Sequence, residues 1–140
     1  MKGNIIIAES KPPAVQSCLA PLLSVRGGAR AIEFYKAAFA AVEVFRLDFP
    51  GGVVAQLSLD DSSFWVSDES PQHSNFSPET LGGAAGRLIL TVADPDAVFA
   101  RALSAGASQV YPVGVQHGSR VGRVVDPFGY HWEITGPPGD

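Results

Sequence analysis

Residues 124–135 read VVDPFGYHWEIT. Val124 and Val125 are β-branched and end one strand. In the turn Asp126-Pro127-Phe128-Gly129, proline presets φ and glycine supplies a positive φ. Tyr130 to Thr135 is a second strand, with His131, Glu133 and Thr135 on one face and Tyr130, Trp132 and Ile134 on the other. A carboxylate at Glu133, in a strand otherwise built for burial, calls for a reason.

Working outward, Arg87 to Val92 reads as a strand. Asp94 then caps a helix that opens with Pro95, carries Asp96 in its first turn, runs to about Ala105 and stops at Gly106. Ser108 to Val115 and Arg120 to Val125 are strands around the His117-Gly118 turn. Upstream, residues 68–86 are rich in Ser, Pro and Gly and read as a linker with no periodic face. Before it the same order occurs once already. Val15 to Val25 reads as a strand, with Pro21 marking an edge position or a bulge. Ala29 to Ala40 is a helix with Ile32, Tyr35 and Phe39 on one stripe. Val42 to Phe49, Val53 to Leu59 and Ser63 to Ser67 are strands.

The halves superpose in sequence. Ala31-Ile32 matches Ala97-Val98, Leu59-Asp60 matches Val125-Asp126, and residues 64–67 match residues 130–133. A repeat of this size means two copies of one supersecondary unit. The expected fold is α+β: two pseudo-symmetric βαβββ modules forming a curved mixed sheet around a cavity, with the helices outside. Residues 1–14 are an N-terminal extension and residues 15–136 a single domain. That domain comprises module 1 (about 15–68), a linker (69–86) and module 2 (about 87–136). Cavities between repeats are common small-molecule sites.

Bulk composition narrows the class. The chain has 140 residues, 46% apolar and 17% charged, which describes one globular domain with a real core. A net charge of −4 without a basic run argues against a nucleic-acid partner. Cys18 is the only cysteine, which excludes an internal disulfide and a thiolate cluster. No apolar run is long enough to span a membrane, and the apolar stretch 4–8 is too short for a signal segment, so a cytoplasmic protein is expected.

The paired modules, Ala31-Ile32-Glu33-Phe34-Tyr35 in the first helix and Asp126-Pro127-Phe128-Gly129-Tyr130 before the last strand together resemble the vicinal oxygen chelate superfamily. That group includes glyoxalase I, extradiol dioxygenases, fosfomycin-resistance enzymes and bleomycin-binding proteins. Ser67-Asp68-Glu69-Ser70-Pro71, Asn75-Phe76-Ser77-Pro78-Glu79 and Leu81-Gly82-Gly83 are similar to its PhnB-like branch. The resemblance implies a homodimer. It also implies that, in metal-dependent members, each module gives one ligand from its first strand and one from its last. Carried onto this chain, those positions are Ala20, Ser67, Arg87 and Glu133.

Of these only Glu133 is a metal ligand by type; Arg87 is a fixed positive charge that repels a cation. No cofactor is therefore expected; a divalent metal, if bound, would need Glu133 with His131 or His117. The candidate ligand-binding residues are Trp65, Ser67, Arg87, His117, Arg120 and His131. Trp65, the repeat counterpart of His131, either stacks on a flat ligand or is plain core. Arg87 either holds an anion or pairs with Glu133. Arg120 either binds an anion or caps its own loop. Glu133 is the candidate catalytic base if it is not the partner of Arg87. Three functions follow: a metal-independent binder of an aromatic or antibiotic-like compound, an enzyme of the superfamily (lyase, isomerase or dioxygenase type) acting through Glu133, or a protein whose cavity is vestigial and which acts through protein contacts.

Overall fold

Residues 14–139 are described in the computed structural model, so the proposed extension lies almost wholly outside the described residues. Module 1 comprises β1 (Leu22–Val25), α1 (Gly28–Phe39), β2 (Val42–Phe49), β3 (Gly52–Leu59) and β4 (Ser62–Asp68). A 3₁₀ turn (Pro71–His73) and a short helix, α2 (Pro78–Leu81), follow. Module 2 comprises β5 (Arg87–Thr91), α3 (Pro95–Ala105), β6 (Ser108–Gln116), β7 (Ser119–Val125) and β8 (His131–Gly136). The strands form two sheets of identical topology, β1-β4-β3-β2 and β5-β8-β7-β6. In each, the first and last strands of the module run parallel and the rest antiparallel. The expected two-module α+β fold is present, but α1 and α3, expected outside, pack on each other between the two sheets.

Local chemistry sets the elements. The stripe of α1 buries Ala31, Ile32, Tyr35, Ala38 and Phe39. Asp94 caps α3 by accepting from Ala97 N at 3.2 Å, with Pro95 at the first helical position and Gly106 closing the helix at φ 125°. The two helices pack on each other and each packs on its own sheet. Tyr35 lies 5.2 Å from the Phe64 ring and 5.6 Å from Trp132, and Phe64 and Trp132 are themselves 5.6 Å apart, measured between centroids. One core is therefore shared by the inner faces of both sheets. Burying each such aromatic contributes roughly 1.5–3 kcal/mol.

A buried carboxylate locks the modules together. Asp126, 4% exposed, accepts from Phe128 N at 2.9 Å, Tyr130 N at 3.0 Å, Trp132 Nε1 at 2.9 Å and the hydroxyl of Tyr35 on α1. Burial pushes this carboxyl up from its ordinary value and its four donors pull it back. Burial, then the charge of Asp126, raises the Tyr35 hydroxyl well above the usual phenol range.

Three local expectations are corrected. Only Leu22–Val25 of the strand expected over 15–25 forms, because β1 pairs with β4 alone and Pro21 offers no N–H. Pro21 O still accepts from Trp65 N at 2.8 Å. The linker is ordered rather than featureless: Ser77 caps α2 by accepting from Thr80 N, and Glu69 accepts from Ser77 N at 2.8 Å, Thr80 Oγ1 at 2.8 Å and Arg26 Nε at 3.1 Å. The Ser77 N–H first, then Thr80 and Arg26, holds the Glu69 carboxyl down to about 2. Finally, strand pairing sets Asp126 opposite Tyr130 as it sets Leu57 opposite Phe64, so Leu57, not Asp60, is its counterpart. Module 1 extends its hairpin further, to a tip at Asp60 with φ 52°, whereas module 2 closes earlier around Asp126.

Candidate ligand site

Strand alternation decides what each sheet shows to the outside. On β4, Phe64 and Val66 enter the core, which leaves Trp65 and Ser67 on the other face. Pairing places Leu22 and Gln56 beside Trp65, and Ser24 and Val54 beside Ser67. On β2, Phe45, Leu47 and Phe49 stand opposite Gln56, Val54 and Gly52, on the same face. They are 47%, 54% and 43% exposed, and Phe45 lies 5.8 Å from the Trp65 ring.

The corresponding face of module 2 is charged. Pairing sets Arg87 and Val125 beside His131, and Ile89 and Arg123 beside Glu133. Arg87 Nε donates to Glu133 Oε1, and Arg123 Nη2 lies 3.5 Å from the same oxygen. The Arg123 guanidinium sits over the Tyr111 ring, 5.6 Å from its centroid. The strand registers make the modules directly comparable: Leu22, Val54, Trp65 and Ser67 correspond to Arg87, Arg123, His131 and Glu133. Leu22 therefore replaces Ala20 as the counterpart of Arg87.

The structure brings Arg87, His131 and Glu133 together, and Trp65 and Ser67 together, on separate sheets. The inner faces of both sheets turn toward the shared core, so the two open faces do not meet within one chain. Among the described residues no hydrogen bond, ion pair or aromatic contact links them. His117 occupies the β6–β7 turn with φ 51°, beyond Arg120, which pairs with Gly136 at the end of β8. Arg120 grips Asp96 on α3 through two hydrogen bonds of 2.7 and 2.9 Å, which fixes the strand to the helix. Arg123 and Tyr111 are the members the sequence reading missed. The signal for Arg123 was available, because the Asp126 turn sets it directly across from Glu133.

A divalent cation does not fit these positions. Glu133 lies between two guanidinium groups, and the matching module 1 positions, Leu22 for Arg87 and Ser67 for Glu133, give no strong ligand. Among the described residues no cluster of three or more His, Cys, Asp or Glu side chains could hold a metal. No helix of the described residues is long and apolar enough to cross a membrane.

This architecture is the glyoxalase/bleomycin resistance/dioxygenase fold. A domain of that description from Frankia sp. EAN1pec superposes with a TM-score of 0.68 over 89% of this chain and 93% of its own, at 17% identity. TioX from Micromonospora sp. ML1 superposes at 0.67 over 89% and 98%, with 24% identity. No protein-family model matches the chain. An uncharacterized protein of Mycobacterium bovis is 42% identical over 129 residues, covering 88% of this chain and 85% of that one. The crystal structure of an Arabidopsis thaliana gene product is 31% identical, with a TM-score of 0.66 over 86% of this chain and 98% of its own. The chain belongs to the family of these two proteins.

Proposed function

We propose that this is a metal-independent small-molecule-binding protein, of the PhnB-like branch its linker motifs resemble, whose site is closed by a second copy of the chain. The carrying observation is the open face of module 1. Leu22, Phe45, Leu47 and Phe49 are each at least 43% exposed and share one sheet face with Trp65, which Leu22 and Phe45 flank. An apolar patch of that kind marks an interaction surface. A second copy can lay its module 2 face over this patch, so that apolar and charged faces of two chains enclose a dry cavity in two equivalent places. A flat organic ligand then stacks on Trp65. Service of Glu133 as a general base is the weaker reading, because its carboxylate already accepts from Arg87.

The test pairs sedimentation with Trp fluorescence in EDTA, using 2-naphthol as a flat neutral probe. A dimer with saturable quenching, both lost in Leu47→Asp and the quenching alone lost in Trp65→Ala, is expected. A monomer at all concentrations, or quenching that requires an added divalent cation, would overturn the reading.

A further inference from the structure

Beside the Glu133 ion pairs lies a hollow of about 100 Å³, lined by Arg87, Arg123, His131 and the chain from Ala84 to Gly86. Two of its lining residues hold a buried side-chain nitrogen without a partner among the described residues: Arg123 Nε and His131 Nδ1. An arginine Nε always carries a proton, so it is an obligate donor. Buried donors are almost always satisfied, so the orphan Arg123 Nε beside this hollow points to a missing acceptor. The small side chains of Ala84 and Ala85 leave the hollow open.

Charge gives the same answer. Arg87 and Arg123 bring two positive charges, and Glu133 cancels one. The fold does not require any of them, since Leu22, Val54 and Ser67 occupy the matching positions of module 1. We infer that Arg87, Arg123 and His131 form a carboxylate subsite, so that the ligand is a monoanion with a carboxylate at one end and a flat apolar body. The hollow has room for a carboxylate, whose plane and charge suit the guanidinium groups that line it. The inference rests on the small-molecule reading above and names the ligand class for that site.

The experiment compares 2-naphthoate with 2-naphthamide on the full chain, by calorimetry and Trp fluorescence at pH 7 in EDTA and physiological salt. The probes share a shape and differ in charge. The acid is expected to bind about tenfold or more tighter than the amide. Arg123→Gln should erase that preference, and Arg87→Gln, at an exposed position, should weaken it if Arg123→Gln fails to fold. Equal binding of acid and amide to the unaltered protein would overturn the carboxylate subsite and leave the organic site standing. Binding of neither would overturn both.

Discussion

In module 1 the open-face positions beside Trp65 and Ser67 hold Leu22 and Val54; in module 2 the same positions, beside His131 and Glu133, hold Arg87 and Arg123. On the inner faces the two modules agree. Leu57, Phe64 and Val66 are buried on one side, and Trp132, Ile134 and Val124 on the other. The shared core constrains the inner face alone, so the outer face is free to carry chemistry. The agreement breaks where module 1 buries Leu57 and module 2 buries Asp126. That exchange replaces a packing contact with a four-donor hydrogen-bond hub that reaches across to Tyr35.

The hub is the sharpest place to break the comparison. Asp126→Ala strands the Tyr35 hydroxyl, Trp132 Nε1 and two backbone N–H groups, and should cost about 3–5 kcal/mol by urea denaturation. Leu57→Ala, at the counterpart position, loses only packing and should cost about 2–4 kcal/mol. A loss for Asp126→Ala smaller than that for Leu57→Ala would show that the hub does not hold the modules together. Gly129→Ala tests the turn that presents the hub. Gly129 has φ 97°, and a Cβ there would lie 2.6 Å from Pro78 Cβ. The expected loss is about 1–3 kcal/mol, seen as a lower thermal midpoint.

The smallest effect concerns the linker between the modules. Glu69 is held at about 2, below its ordinary 4.5, so its native contacts favour the charged form. Its contribution is fully present above pH 4.5 and is lost as pH falls toward 2. Glu69→Gln should therefore be less stable than the parent at pH 7, with the two converging near pH 2. Parallel stability curves across that range would remove Glu69 as the anchor of the linker.

The element order was legible because it rests on local signals: the period of the α1 stripe, the Asp94-Pro95 helix start and the alternation in residues 130–135. The pairing of Arg87 with Glu133 was one of two alternatives left open at positions that the family resemblance implied, and the structure shows the ion pair. Asp126 was legible only as a turn residue, since its burial depends on Tyr35, 91 positions away in the chain. Arg120 was placed with the site from its loop alone, but the contact with Asp96 on α3 determines what it does.

By itself, then, the amino-acid sequence determined the two βαβββ modules, their inner and outer faces, and the poor metal-ligand set, because propensity, periodicity and side-chain chemistry act over a few residues. Tertiary structure alone decided that the helices pack between the sheets, that the open faces of one chain do not meet, and that Arg123 joins Arg87 and His131 at one hollow. Those outcomes depend on strand register and on which apolar faces bury each other, and both are long-range properties of the folded chain.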